Sequence, residues 1–284
     1  MQELASQFRL DGKAALITGA GKGIGKCIAL TYAQAGADVV IAEINKSAGE
    51  AVVKSVREMG RKALFVQTDV MVEEQIKRMV DSTLKEFKRI DILVNNAGGP
   101  KFGRSEVNNP DAVKENTSII TMTDEFWNWH IYYNLNSPFW CCREVGKVMA
   151  AQKSGNIVNI SSVAGTRPVP GMAAYGTPKA ALNHFTKILA LELSIYNVRV
   201  NAITPMLILH SDQDWGLSPD AEEQKRRARS AGVVVGRVGR VEDIANLALY
   251  LAADASSYMT GEVIDVAGGP LFPADIMAHY ESQA

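Results

Sequence analysis

Short β-branched apolar runs alternate along this chain with longer segments whose apolar residues recur at three- and four-residue intervals. The runs at 14–18, 38–42, 62–67, 90–94, 155–160, 198–203 and 262–266 read as strands. Segments 24–35, 46–59 and 72–87 carry helical periodicity, as does the long stretch that begins near Tyr175. Strand, helix, strand in repetition predicts right-handed crossovers and a parallel sheet with helices on both faces, an α/β doubly wound architecture. In such sheets ligands bind beyond the carboxyl ends of the strands, so residues just after each run are where chemistry is sought.

Composition narrows the picture. A chain of 284 residues with 47 % apolar and 21 % charged side chains can bury one large core, so a single domain over 1–284 is expected. Thirty basic against 31 acidic side chains, with no sustained basic run, argue against nucleic acid and membrane as partners. The most basic stretch, at 226–229, ends a charged helix-like segment from 220 and reads as a solvated face. Cys27, Cys141 and Cys142 make no metal-ligand spacing and leave an odd count, so neither a metal site nor a disulfide framework is expected. With no apolar leader and no apolar stretch of membrane length, the reading is a protein of the reducing cytoplasm.

Two patterns carry chemistry. The first strand is followed by Thr18-Gly19-Ala20-Gly21-Lys22-Gly23-Ile24-Gly25, a G-x-x-x-G-x-G turn that opens a helix. Glycines let backbone approach a pyrophosphate, and a helix start offers it unpaired N–H groups and a positive dipole end. The second pattern is Tyr175 and Lys179, four residues apart and therefore on one helix face. Turning a tyrosine into a base near neutral pH means lowering its pKa by roughly three units, about 4 kcal/mol. One positive charge at about 5 Å and an effective dielectric of about 20 supplies roughly 3 kcal/mol. Lys179 is thus expected to lower the phenol, with oxidised nicotinamide as a second cationic neighbour.

Thr18-Gly19 through Gly25, Asn95-Asn96-Ala97-Gly98, Ser162, and Tyr175 with Lys179 stand in an order and at separations that resemble the short-chain dehydrogenase/reductase family, over about 10–269. The resemblance implies a Rossmann-type domain that moves a hydride between a nicotinamide nucleotide and an alcohol or carbonyl. It implies Tyr175 as general acid/base and Lys179 as the residue that lowers the phenol and binds the nicotinamide ribose. Ser162 would hydrogen-bond the substrate oxygen, with Ser161 turned to the other side of the strand, and Asn134 would hold a water relay to the lysine. On the cofactor it implies Gly19, Lys22, Gly23, Ile24 and Gly25 at the phosphates and Asn96, Ala97 and Gly98 along the adenosine side. Asp69 and Val70 would stand at the adenine and Pro205 beside the nicotinamide. Asp69 also reads as a helix N-cap.

Cofactor choice turns on Glu43, 24 residues past Gly19, where a carboxylate can accept from a ribose 2′-OH and repels a 2′-phosphate. That favours NAD, although Lys22 stands where some NADP-using relatives carry a basic residue. Three features depart from the family pattern. After the sixth strand, Thr204-Pro205-Met206 replaces the usual Pro-Gly, and His210 stands where a threonine is expected. Residues 100–120 read as an insertion loop. Trp127, Trp129, Tyr132 and Tyr133 then follow at helical spacing, as core or subunit interface. The segment 206–235, with Leu207, Ile208, Leu209, Trp215 and Leu217, is expected to fold over the site as a lid. Its apolar content points to a small-molecule secondary alcohol or ketone, hydrophobic or cyclic. The resemblance further implies a homodimer or homotetramer. An NADPH-dependent carbonyl reductase and a nucleotide-binding regulator without turnover are the competing readings.

Overall fold

The structure, a computed structural model, describes residues 5–101, 118–209, 228 and 232–269. Strands β1 (Ala14–Thr18), β2 (Asp38–Glu43), β3 (Ala63–Gln67), β4 (Ile92–Asn95), β5 (Gly155–Ile160) and β6 (Val198–Pro205) join a last strand, Val263–Val266, in one sheet. Two short strands, β7 (Ile208–Leu209) and β8 (Gly239–Arg240), pair apart from it, which makes the last strand β9. The sheet order among the described residues is β3-β2-β1-β4-β5-β6-β9, and every neighbouring pair is parallel. The doubly wound expectation is met, and the order reverses between β1 and β4, where such sheets open a crevice for ligand.

Helices α1 (Gly23–Gln34), α2 (Lys46–Glu58), α3 (Glu73–Phe87), α4 (Asp124–Ile131), α5 (Ser137–Gln152), α6 (Ala173–Ser194) and α7 (Val241–Ala252) cover the two faces. The strands sort their side chains by period two. Ala15, Ile17, Val39, Ile41, Ile92 and Val94 pack with Ile28, Val52 and Ile244 from α1, α2 and α7. Leu16, Val40, Leu93 and Ile157, on the opposite face, pack with Ile76, Val145 and Leu189 from α3, α5 and α6. Both faces are dry, which is why these strands are apolar at successive positions.

A polar seam crosses the middle of the sheet. Asn95 pairs in register with Asn159, and its Nδ2 donates to Asn159 Oδ1 at 2.8 Å. Asn159 Nδ2 in turn donates to Thr186 Oγ1 on α6 at 2.9 Å. All three side chains are buried.

Between α4 and α5 the helix passes through one π turn, Tyr132–Asn136, where the Ser137 N–H reaches back five residues to Tyr132 O. Such a turn inserts one residue into the helical count and marks functional positions in many folds. Here it aims Asn134 into the protein, where the residue is fully buried.

Candidate active site

The glycine turn after β1 is built of backbone. Gly19 has φ +62° and Gly23 φ +54°, values glycine adopts without strain. A Cβ on Gly25 would lie 2.3 Å from Gly19 O and 2.4 Å from Asn96 Nδ2, so no larger residue fits without moving the turn. Asn96 braces the same turn, its Nδ2 donating to Thr18 O at 2.9 Å and Gly19 O at 3.0 Å. Thr18 Oγ1 closes the brace by accepting the N–H groups of Asn96 and Ala97, both at 3.1 Å. Lys22, the exposed N-cap of α1, gives no side-chain cap, which leaves the helix start open to an anion. These features fit a dinucleotide: a turn too tight for side chains, leading into an uncapped helix end.

Glu43 is the last residue of β2 and is buried. Its Oε2 accepts from Gly21 N and its Oε1 from Asn45 N, each at 3.0 Å, so the carboxylate is fixed by two backbone donors. A Cβ on Gly21 would fall 2.7 Å from Glu43 Cγ, which explains the glycine. Asp69 is not a helix N-cap, contrary to that expectation: the cap of α3 is Val72, and Asp69 Oδ1 instead accepts from Met71 N at 2.9 Å. The polar two-residue turn ends before the helix starts. Val70 is buried in the core below α3.

Ser162, Tyr175, Lys179, Asn134 and Gly98 converge beyond β4 and β5. Ser162 follows β5 and caps a 3₁₀ turn, Val163–Gly165, with its Oγ accepting from Ala164 N at 3.2 Å. That turn lies directly on α6: a Cβ on Gly165 would lie 2.6 Å from the Lys179 carbonyl carbon, and one on Gly176 2.7 Å from Ala164 O. The two glycines let the turn sit close against α6, which brings the Ser162 side chain beside the Tyr175 phenol. One helical turn on, Lys179 is buried, with Nζ donating to Ile160 O at 2.9 Å and standing 5.8 Å from the Tyr175 ring centre. A Cβ on Gly98 would be 3.0 Å from Lys179 Nζ and 3.2 Å from Asn134 Oδ1, so the glycine leaves open the space these two groups share. Asn134 grips both polar atoms of Gly99, accepting from its N at 2.8 Å and donating to its O at 3.1 Å. Ser161 points away, donating to Lys179 O at 3.1 Å.

The proton affinities differ from the sequence expectation. Burial pushes the Tyr175 phenol above its ordinary value, opposed by the Ser162 side chain. The same burial pushes Lys179 down to about 7. In the chain by itself the lysine holds a proton loosely, and the low-polarity surroundings set the direction for both groups.

Past β6, Thr204 is committed elsewhere: its Oγ1 donates to Ile264 O at 3.0 Å and also bonds Asp265. Pro205 ends β6, and Met206 N donates to Val266 O at 3.2 Å. Met206, Leu207 and Leu209 pack on Ala228, Val233 and Val238. His210, Trp215, Leu217, the charged stretch at 226–229 except Ala228, and most of the 100–120 insertion lie outside the described residues.

Sequence reasoning passed over His130. It is buried on α4 one turn before Asn134, with Nδ1 2.9 Å from Phe126 O and Nε2 accepting from Lys101 N at 3.1 Å. Its ring meets that of Tyr175 edge-on, centres 6.5 Å apart. The spacing of four from Asn134 was the available signal, hidden among the aromatic residues around it. Of those, Trp129 stacks with Tyr133 at 4.8 Å and faces Lys101, while exposed Tyr132 turns outward to Trp140.

Known proteins resemble this chain in sequence and fold. A family model described as enoyl-(acyl carrier protein) reductase matches residues 19–270. The 3-oxoacyl-(acyl-carrier-protein) reductase FabG of Chlamydia trachomatis is 36 % identical over 261 residues, 92 % of this chain and 98 % of its own. The 7alpha-hydroxysteroid dehydrogenase of Escherichia coli is 34 % identical over 267 residues, 93 % of this chain and 96 % of its own. A solved 7alpha-hydroxysteroid dehydrogenase complexed with NADH and 7-oxo glycochenodeoxycholic acid superposes with a TM-score of 0.79 at 32 % identity, covering 94 % of this chain and 97 % of that one. The chain belongs to the short-chain dehydrogenase/reductase family. It is an oxidoreductase of that family, which binds a nicotinamide dinucleotide. No helix among the described residues is long and apolar enough to cross a membrane.

Proposed function

We propose that this protein transfers a hydride between NAD(H) and a secondary alcohol or ketone of hydrophobic or cyclic shape. The observation that carries the proposal is the convergence of Ser162, at the turn after β5, with Tyr175 on α6, with Lys179 Nζ one helical turn on and 5.8 Å from the Tyr175 ring centre. Ser162 and Tyr175 together hold the substrate oxygen, Ser162 as a fixed donor and Tyr175 as the group that exchanges a proton with it. A phenol kept protonated by burial gives its proton to a carbonyl oxygen in reduction; in oxidation the phenolate must form first. The nicotinamide, when bound, supplies the hydride donor or acceptor. Lys179 is placed to bind the nicotinamide ribose hydroxyls, and Asn134 to link the lysine to solvent through the space at Gly98. Gly19, Lys22, Gly23, Ile24 and Gly25 take the phosphates, and Asp69, Val70, Asn96, Ala97 and Pro205 the rest of the cofactor's length.

NAD is favoured by Glu43. Two backbone donors hold its carboxylate in a buried position, whereas Lys22 is exposed. A like charge at about 5 Å and an effective dielectric of about 20 opposes a 2′-phosphate by roughly 3 kcal/mol. The structural relative named with NADH agrees in cofactor, and its keto-steroid is a cyclic ketone of the class proposed. Apolar Met206, Leu207 and Leu209 stand at the start of the proposed lid over 206–235. We also infer self-association, because α5 and α6 expose Phe139, Ile188, Leu191 and Ile195. Tyr175→Phe tests the catalytic reading: NADH binding should persist while turnover falls on the order of a thousandfold. Turnover near that of the unaltered protein refutes it.

A further inference from the structure

We infer that His130 is a positioning residue, which in its neutral form clasps Lys101 to α4 and so sets the segment 99–101 against Tyr175. The effect on turnover rests on the dehydrogenase reading above; the clasp itself does not.

Two side chains one helical turn apart hold successive peptides of the segment that leaves β4. Asn134 takes the N–H and carbonyl of Gly99, and His130 takes the N–H of Lys101. Lys101 is held a second time by its ammonium, 5.5 Å from the centre of the Trp129 ring. The His130 ring is wedged between Phe126, at 4.5 Å between centres, and Trp129, at 5.0 Å, with its edge toward Tyr175. Movement of the imidazole would therefore disturb the Gly99–Lys101 backbone and the ring of the proposed acid/base together.

The hydrogen bonds define one protonation state. A carbonyl can only accept, so Nδ1, beside Phe126 O, carries the proton, and Nε2 must be bare to accept from Lys101 N. A second proton would set donor against donor at Nε2 and open the clasp. The titratable groups facing the ring are Lys101 from the segment, and Tyr175, backed by Lys179, from α6; Asp124 and Glu125 stand apart in the first turn of α4. Burial holds the imidazole below its ordinary value, the Phe126 carbonyl opposing and the Lys101 ammonium adding to the fall.

Hydrogen exchange at the Lys101 amide, corrected for intrinsic exchange, should be measured from about pH 5 to about pH 8, the range in which histidine titrates. The samples are the unaltered protein, His130→Phe, which keeps the ring, and His130→Gln, which restores an acceptor without a titration. Unaltered protein should lose protection in acid, the Phe variant should lack it throughout, and the Gln variant should hold it at every pH. In parallel, kcat should fall about tenfold in the Phe variant and recover within about twofold in the Gln variant, with NADH affinity unchanged. Equal Lys101 protection in unaltered and Phe proteins overturns the clasp. Protection lost without any fall in kcat overturns its positioning role. If the unaltered protein turns over no alcohol, the dehydrogenase reading fails, and amide exchange still decides for or against the clasp.

Discussion

The crevice has two walls made of different material. On the β1–β2 side, the groups proposed to meet the cofactor are peptide N–H groups at the start of α1, spaced by glycines and braced by Thr18, Asn96 and Glu43. On the β5–α6 side they are side chains: Lys179 and Asn134, buried and tied to carbonyls, Ser162, buried at a turn, and Tyr175, half-buried. A wall of backbone has no group that titrates near neutral pH and fails when a side chain intrudes. A wall of buried polar side chains tolerates shape but answers to protonation. The first wall suits the invariant part of a nucleotide, and the second suits a reaction that moves a proton.

Lys179→Met should give the largest response and split the two properties. Turnover should drop on the order of 10²–10⁴-fold. Stability at neutral pH should nonetheless rise by about 2–3 kcal/mol, because burial now holds the lysine far below its ordinary value. Between about 7, its folded value, and 10.5, its ordinary one, the unfolded chain holds more of this proton. Stability of the unaltered protein therefore increases with pH across that window, and the advantage of the Met variant should shrink in parallel. Denaturant melts at both ends of the window read this directly; a Met variant less stable than the parent at neutral pH contradicts the account of the second wall.

The first wall should answer to volume instead. Gly25→Ala places a methyl 2.3 Å from Gly19 O, an overpacking of about 1–3 kcal/mol, or roughly ten- to hundredfold in NADH affinity by calorimetry. Unchanged affinity would mean that the turn is softer than its bracing indicates. Glu43→Gln removes charge with little change of volume. The affinity for NADPH relative to NADH should climb about tenfold, part of the roughly 3 kcal/mol Coulomb penalty; a constant ratio would shift cofactor choice to Lys22. Smallest is the contribution of His130 to acid stability. Its folded pKa is depressed, so its stabilisation is complete above the ordinary value near 6.5 and is lost as pH falls through the lower folded value. His130→Gln should flatten the acid limb of the melting curve by under about 1 kcal/mol.

The backbone wall was the more legible of the two in sequence. Parallel strands buried on both faces appear as apolar runs, and seven such runs predicted the seven strands of the main sheet within two residues at each end. The glycine turn and the four-residue Tyr175–Lys179 spacing are local signals that survive without tertiary information. What escaped was set by distant neighbours. The π turn at Tyr132–Asn136 adds a residue to the helix where α4 meets the segment after β4, and no periodicity announces it. His130 acquires meaning from Lys101, 29 positions away. The upward shift of Tyr175 reflects burial by groups gathered from several elements, whereas the spacing revealed the nearby lysine and nothing of the solvent excluded around both.

The Asn95–Asn159 pair has a consequence for assembly. A strand offered one residue out of step would turn its amide to the opposite side of the sheet and leave two polar groups stranded in oil, a mismatch worth several kcal/mol. In the folded sheet those amides fit as tooth and notch, at a single register. Gly98 lies three residues beyond Asn95 and Ser162 three beyond Asn159, so the spacing between the two chain ends that carry the proposed site is inherited from that single register.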